Sequence, residues 1–246
     1  MNLAQMKKRS YAAVMIIVLS LSISALGAFT PIYAPPPGEA SHAKILGDIY
    51  DGGTDFIGAG VPLNYGMWSE YSSADNSIIA YRIDDDFDQI WSMDSIVEAK
   101  AKYAGQNQSF GWDQGALDGT NYTELLTDAD IGDPGVYVAT SGDFLWGLKS
   151  TGSLGNYLWW SNPSLNYDGK DHMVTYKIEG LNTGYEVYLL FFEDLPTYDR
   201  KQCPLADWDY NDFVVEVSQV PEPTSIAILG FGVLASLMHR RGSFKK

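Results

Sequence analysis

Short apolar runs separated by turn residues dominate the middle of the chain and predict β-strands. In residues 97–103 (VEAKAKY), apolar and charged residues alternate without exception, which is typical of a half-buried strand, although Ala, Glu and Lys favour a helix by propensity. Seven residues are too few for a stable surface helix, so we predict a strand. Further strands are predicted at residues 45–50, 77–83, 136–140, 143–149, 157–160, 173–179, 185–192 and 213–218, and residues 123–126 form a short strand or a helical turn.

Turn signals such as Asp51-Gly52-Gly53 and Asn182-Thr183-Gly184 separate these runs. No amphipathic helix of ten or more residues is recognisable, so the fold class is all-β, with a single β-sandwich or jelly-roll-like domain at residues 41–219. Phe110-Gly111-Trp112 is interpreted as leading into a loop rich in Gly and Asp. The carboxylates at residues 84, 85, 86 and 88 are interpreted as a solvated loop rather than a ligand set.

The first 28 residues have the pattern of a secretory signal peptide. Three basic residues at 7–9 precede an apolar run at residues 12–28, and Ala25-Leu26-Gly27 offers the small residues that a signal peptidase recognises. Cleavage is expected after Gly27 or Ala28; the alternative is an uncleaved anchor helix. Residues 29–40 are then a stiff, Pro-rich leader before the folded domain.

A second targeting segment lies at residues 220–246. The motif Pro221-Glu222-Pro223 is followed by an apolar run at residues 224–238 and by the basic pair Arg240 and Arg241. Fifteen helical residues span about 22 Å, against a hydrocarbon core of about 30 Å, so this helix is a marginal permanent anchor. Basic residues flank both apolar segments, which predicts that the residues between them lie outside the cytoplasm.

These three parts, in this order, resemble the PEP-CTERM sorting signal of Gram-negative bacteria over about residues 219–241. The resemblance implies recognition of Pro221, Glu222 and Pro223 by an exosortase, a membrane cysteine protease, and an origin in an organism that produces exopolysaccharide. Signal peptidase and exosortase are therefore the expected partners during export. The apolar helix would hold the precursor in the inner membrane at least transiently.

Acidic residues outnumber basic ones, 31 to 16, for a net charge of −15. Seven of the basic residues but only one acidic residue, Glu222, lie in the two terminal segments, so the region between them is more acidic still. Such a charge repels nucleic acids and anionic membrane surfaces, and it suits an exported protein that gathers cations. The single cysteine, Cys203, excludes an intramolecular disulfide.

Oxygen ligands concentrate around two predicted strands, residues 185–192 and 213–218. Antiparallel pairing of these strands would bring the residues after the first towards those before the second. Calcium prefers six to eight oxygen ligands, and an extended segment would put Asp207, Asp209 and Asn211 on one face. The alternative is that these residues only cap turns. The predicted calcium ligands are Glu193, Asp194, Asp207, Asp209, Asn211 and Asp212.

The same region resembles a bacterial extracellular domain of unknown function. The residues that carry this resemblance are Phe192-Glu193-Asp194-Leu195 and the segment 207–214 (DWDYNDFV), which match a pattern of F-E-D-L followed by D-x-D-Y-N-D-x-V. Such domains often precede a PEP-CTERM tail. The resemblance implies a β-rich surface or matrix protein stabilised by calcium, and it implies no reaction.

Two alternatives concern glycans. Trp159 and Trp160 are adjacent in a predicted strand and should face opposite sides, so one is expected in the core and the other exposed, where it can stack on a sugar ring. A glycoside hydrolase would need a carboxylate pair, such as Glu193 with Asp207 or Glu186. No motif of a known hydrolase supports catalysis. We therefore expect an exported, non-enzymatic protein of the cell surface or exopolysaccharide matrix.

Overall fold

A computed structural model describes residues 29–58, 70–198 and 205–221. Within these residues the chain forms one α-helix, two short 3-10 helices (Asp128–Asp130 and Pro163–Leu165) and twelve strands. The helix, α1, is His42–Tyr50. The strands are β1 (Ile57–Gly58), β2 (Glu70–Ser72), β3 (Ile79–Arg82), β4 (Ser95–Lys102), β5 (Asn107–Gln114), β6 (Thr123–Thr127), β7 (Val136–Val138), β8 (Phe144–Gly152), β9 (Gly155–Trp160), β10 (Met173–Glu179), β11 (Glu186–Phe192) and β12 (Phe213–Gln219).

The described strands form two antiparallel sheets. The large sheet has the order β1-β2-β3-β10-β11-β12-β4-β7, and the small sheet has the order β6-β5-β8-β9. β11 pairs antiparallel with β12, with Phe192 opposite Phe213. The prediction of an all-β, sandwich-like domain is confirmed, and so is the antiparallel pairing of the strands on either side of the acidic connection.

Two hydrophobic clusters lie on opposite faces of the large sheet. One lies between the sheets and contains Phe110, Trp146, Leu190 and Phe192. The other lies between the large sheet and α1. Alternate residues of β11 therefore enter different clusters, which explains why residues 187–192 read as a continuous apolar run. The buried hydrophobic residues of the described chain extend from Ile45 to Val217, so residues 29–221 contain this core in full.

The strand predicted at residues 45–50 is wrong, because this segment is helix α1. The hydroxyl of Ser41 caps the helix by accepting a hydrogen bond from the Lys44 N–H (3.3 Å). Ile45 and Leu46 are buried against the large sheet, and Ile49 and Tyr50 follow four residues later on the same face. The Ser41 cap and the i, i+4 spacing of the apolar residues both indicate a helix. The short apolar run by itself is equally compatible with a strand.

Strand β5 was also missed. Its sequence, NQSFGWDQ, contains only two large apolar residues, Phe110 and Trp112, and both contribute to the cluster between the sheets. Gly111 lies between them because a Cβ there would overlap the Thr123 carbonyl oxygen and lie 2.7 Å from the Tyr122 ring. The glycine that suggested a loop is required by close packing of neighbouring strands.

The predicted signal peptide (residues 1–28), Cys203 and the predicted tail beyond Pro221 lie outside the described residues. Within the described residues, no helix has the length and apolar character needed to cross a membrane. The Pro-rich leader contains neither helix nor strand, but it contacts the sandwich: the Tyr33 N–H donates to the Trp208 carbonyl (2.9 Å).

Candidate metal centre

The candidate metal centre lies at the end of the large sheet where β11 ends and β12 begins. Because Phe192 is opposite Phe213, the next residues of β11 meet the residues that precede β12. Carboxylate oxygens of Glu193, Asp194 and Asp212 all lie within 4.8 Å of one another. We call these three residues the inner carboxylate cluster. The strand pairing predicted from the sequence brings them together.

Hydrogen bonds hold the inner carboxylate cluster in place. The Asp194 N–H donates to Asp212 Oδ2 (2.8 Å), and Gln108 Nε2 donates to Asp194 Oδ2 (2.7 Å). The Trp208 N–H donates to Glu193 Oε2 (2.8 Å).

Burial makes the charged form of this cluster unfavourable. Glu193 and Asp194 are each 1% exposed. Burial, and then the charges of Asp212 and Asp207, raise the pKa of Glu193 well above its usual value. Burial and the Asp194 charge do the same to the pKa of Asp212. The cluster is therefore stable only when protons or a cation neutralise part of its charge.

A second group of three carboxylates, the outer carboxylate cluster, consists of Glu39, Asp207 and Asp209, with oxygens again within 4.8 Å of one another. The pKa of Asp209 is raised to about 7: burial is the largest cause, the hydrogen bond from the Asn211 N–H opposes it, and the charges of Asp207 and Glu39 add to it. Sequence reasoning missed Glu39. It belongs to the Pro-rich leader, 168 positions before Asp207, and no local signal connects them.

Asn211 lies beside the outer carboxylate cluster. Its side-chain Nδ2 donates to Asp209 Oδ2 (2.8 Å) and to the Ala40 carbonyl (3.0 Å). The side chain is fully buried, and its Oδ1 has no hydrogen-bond partner among the described residues. A buried amide oxygen without a donor is suited to binding a cation.

The extended conformation predicted for residues 207–211 is wrong. Trp208 and Tyr210 have φ angles of 60° and 58°, in the left-handed region that residues other than glycine rarely adopt. These two residues turn the backbone at alternate positions, so Asp207, Asp209 and Asn211 do not share one face of a strand. Asp207, Asp209 and Asn211 nevertheless stay together at the outer carboxylate cluster, whereas Glu193, Asp194 and Asp212 form the inner one.

The donor set of both clusters fits calcium. Each cluster offers carboxylate oxygens only, which calcium prefers to nitrogen or sulfur ligands. Calcium–oxygen distances are about 2.3 to 2.6 Å, so two ligand oxygens on opposite sides of one ion are about 5 Å apart. Oxygens within 4.8 Å of one another can therefore bind the same ion.

The residues predicted to stack on glycans are both buried, so the expectation that one of them is exposed is wrong. Trp159 lies in the core, stacked on His172 with ring centroids 3.6 Å apart, and its Nε1 donates to the Asp194 carbonyl (2.8 Å). Trp160 is only 3% exposed, because Gly119 and Tyr122 of the loop before β6 cover the outer face of the small sheet. Neither ring is available to a sugar.

The pairing of Glu193 with Glu186 as glycosidase carboxylates is also wrong. Glu186 begins β11 and Glu193 follows its last residue, so seven residues of strand, about 23 Å, separate their backbones. Glycosidase carboxylates are about 5 to 9.5 Å apart. The two groups lie at opposite ends of the sheet.

Comparison with known proteins gives one match. Residues 219–241 match the family model described as the PEP-CTERM protein-sorting motif. No curated protein matches the chain significantly, and neither does any solved structure. The matched segment contains all five predicted sorting residues: Pro221, Glu222, Pro223, Arg240 and Arg241. The motif supports an exported protein, sorted to the cell envelope or the exterior through processing by an exosortase.

Proposed function

We propose that this chain is a non-enzymatic protein of the cell surface or exopolysaccharide matrix, whose sandwich is stabilised by calcium after export. The observation that carries the proposal is the inner carboxylate cluster: three carboxylates, two of them 1% exposed, with oxygens within 4.8 Å of one another. The resemblance of residues 192–195 and 207–214 to a bacterial extracellular domain supports the same role.

Export explains why a buried acidic cluster is tolerated. Extracellular calcium-binding modules work at dissociation constants of about 10⁻⁴ to 10⁻³ M, so millimolar calcium outside the cell fills such sites. In the cytoplasm, where calcium is scarce, the same carboxylates would have to take up protons or repel one another. The calcium-bound form of the sandwich is then the form that is stable outside the cell.

The outer carboxylate cluster supports a second calcium ion. Glu39 comes from the Pro-rich leader, whereas Asp207 and Asp209 come from the segment before β12. An ion shared by these residues would attach the leader to the sandwich. We expect it to bind less tightly than the inner ion, since Asp207 is exposed and Glu39 is half-buried.

The test is the thermal midpoint of residues 29–221 in millimolar calcium and in chelator. A ligand at a hundred times its dissociation constant adds about 2.7 kcal/mol, which raises the midpoint by about 5 to 10 °C at this size. Asp194→Asn should abolish most of that rise. Asp133→Asn, which removes one exposed acidic side chain outside both clusters, should leave it unchanged.

An equal midpoint in calcium and in chelator contradicts the proposal, as does a calcium response that Asp194→Asn leaves intact. Calorimetric titration of the same proteins with calcium measures binding directly. This titration shows whether Asp194→Asn has lost calcium binding or has only become less stable.

Glycan binding remains a second candidate function, at a different place from the one predicted. A cavity of about 320 Å³ opens beside β5, β6 and β8, and its lining includes Gln108, Glu124, Asp128 and Lys149. Polar side chains that both donate and accept hydrogen bonds suit a sugar hydroxyl. Retention of the domain on exopolysaccharide, weakened by Lys149→Ala, would support this candidate; equal elution with and without the polysaccharide would exclude it.

A further inference from the structure

A third group of carboxylates lies at the same end of the large sheet, next to β3 and β10. Asp85 and Asp88 follow β3, and Asp171 precedes β10. Their exposed fractions are 5%, 2% and 7%. The interpretation of Asp85 and Asp88 as part of a solvated loop is therefore wrong. We call these three residues the Asp88 cluster.

The Asp88 cluster has three carboxylates, and Arg82 is the positively charged side chain that acts on Asp88. Arg82 Nη2 pairs with Asp85 Oδ1 at 3.0 Å, which neutralises one carboxylate. Neither oxygen of Asp88 has a hydrogen-bond partner among the described residues; the Thr175 hydroxyl, which also lacks one, lies close enough to lower the pKa of Asp88 against the larger effect of burial. The charges that act on Asp88 are those of Asp171, Asp85 and Arg82. A buried carboxylate without a partner is strongly unfavourable when charged, so Asp88 either holds a proton or pairs with a cation.

The start of the Pro-rich leader lies directly on this cluster. The Thr30 N–H donates to Asp85 Oδ2, and the Thr30 hydroxyl lies 3.5 Å from Asp171 Oδ2. Arg82 Nη1 donates to the Thr30 carbonyl (2.7 Å), and the guanidinium lies 5.3 Å from the centre of the Phe29 ring. These contacts hold residues 29 and 30 against the cluster.

We propose that export cleaves the chain between Ala28 and Phe29, and that the new α-ammonium group of Phe29 neutralises part of the charge of the Asp88 cluster. In this step water hydrolyses the amide bond, Ala28 keeps the carboxylate, and the Phe29 amine takes up a proton. Covalent geometry keeps the Phe29 nitrogen within roughly 7 Å of the Asp85 carboxylate. Before cleavage that nitrogen is a neutral amide; afterwards it carries a positive charge at neutral pH.

A bound metal ion is the alternative, and the geometry favours it less. In the described part of the chain, the acidic triads whose oxygens all lie within 4.8 Å of one another are the inner and outer carboxylate clusters, and the Asp88 cluster is not among them. An ammonium group that the Thr30 contacts place beside the cluster can interact with spaced carboxylates, whereas one small ion needs all its ligands within bonding distance. The inference depends on export, but it does not depend on calcium binding.

The experiment compares two proteins that both end at residue 221. One begins at Phe29, released from a fusion by a protease that leaves no added residue, and the other keeps Gly27 and Ala28 in front. In chelator, we expect the protein that begins at Phe29 to melt higher by about 3 °C or more, as expected for one partnered buried charge at this size. Asp88→Asn should remove the difference, and Asp86→Asn, an exposed change in the same loop, should keep it.

Equal midpoints for the two starts, or a difference that persists in Asp88→Asn, would overturn the proposal. Because chelator is present throughout, this result is independent of the calcium test. If Asp88→Asn does not fold, the rate of N-terminal acylation decides instead. An amine whose pKa rises by one unit reacts about tenfold more slowly at neutral pH, and a Phe29 amine that reacts at the rate of the extended protein contradicts the ion pair.

The N-terminus of the exported protein gives a third readout. Mass spectrometry of the protein recovered from the exterior should find Phe29 as the first residue. A first residue other than Phe29 would overturn the assigned cleavage position.

Discussion

At the residue scale, Trp159 links the core of the sandwich to the inner carboxylate cluster. Its indole Nε1 donates to the Asp194 carbonyl, and its ring stacks on His172, whose Nδ1 lies 2.9 Å from the Glu193 carbonyl. The backbone carbonyls of Glu193 and Asp194 are thus held by buried aromatic side chains. Trp159, which the sequence suggested as a glycan-stacking residue, instead positions candidate metal ligands.

Trp159→Phe should therefore destabilise the domain and weaken its calcium response. The change leaves the buried Asp194 carbonyl without its donor, which costs about 1 to 3 kcal/mol. Tyr157→Phe is the matched control, because it removes a hydrogen bond near the surface, to the Leu154 carbonyl (2.9 Å). Thermal melting in calcium and in chelator measures both effects; a wild-type midpoint for Trp159→Phe would contradict this role.

At the element scale, helix α1 depends on how closely it packs, more than on its own propensity. Gly47 is buried, and a Cβ there would lie 2.6 Å from the Thr54 carbonyl carbon and 2.9 Å from the Asp55 Cα. The Phe56 N–H also donates a hydrogen bond to the Ala43 carbonyl (3.0 Å). The segment after the helix therefore packs its backbone directly against Gly47, which has no side chain to separate them.

Gly47→Ala separates these two effects. Helix propensity alone would favour Ala by about 1 kcal/mol. The clash with backbone atoms outweighs that gain, and we expect a net loss of about 1 to 3 kcal/mol. Asp48→Ala on the exposed side of the same helix loses one surface ion pair with Lys44 and should cost less than about 1 kcal/mol. Urea unfolding compares them, and a stabilised Gly47→Ala would show that the packing is looser.

At the scale of the whole molecule, three carboxylate clusters lie along one end of the large sheet. They lie at the ends of the neighbouring strands β3, β10, β11 and β12, and the Tyr210 hydroxyl, which donates to the Asp171 carbonyl (2.9 Å), connects two of them. Charge gathered at one end of a sheet makes stability depend on pH and on cations. The chain is acidic overall, with a net charge of −15, but the position of the charge matters more than its sum.

In chelator, stability should fall as pH rises from 6.5 to 8. Burial raises the folded-state pKa of Asp209 to about 7, so the folded protein keeps a proton that the unfolded chain has already lost. Stability from that proton is present at low pH and is lost as pH rises through 7, by about 1 kcal/mol over this range. His42, whose pKa burial lowers to about 3, acts in the opposite direction, because the unfolded imidazole is still partly protonated at pH 6.5 and the folded one is not; its contribution of about 0.4 kcal/mol is smaller than that of Asp209.

Calcium should reduce this slope, because its ligands are ionised at every pH in the range. Asp209→Asn should reduce the slope in chelator as well, since it removes the titrating group. Guanidinium chloride unfolding at four pH values gives the slopes. A slope that neither calcium nor Asp209→Asn changes would contradict the prediction.

The sequence alone predicted the features that depend on neighbouring residues. The strict alternation in β4 outweighed its helix propensity, and the apolar runs of β11 and β12 predicted their pairing and hence the inner carboxylate cluster. The sorting motif at residues 219–241 was also legible, because its three parts are consecutive. These patterns involve residues close together in the chain, so the period of apolar residues and the spacing of motif residues can be determined from the sequence alone.

Tertiary structure decided which faces and side chains are covered. Trp160 is buried by a loop from before β6, Glu39 joins Asp207 from the other end of the domain, and Thr30 covers Asp85. The six expected ligands fell into two clusters, and Glu39, which the sequence did not indicate, joined one of them. Burial and ligand geometry depend on contacts between residues distant in sequence, so only the folded chain determined which carboxylates lie together and which are buried.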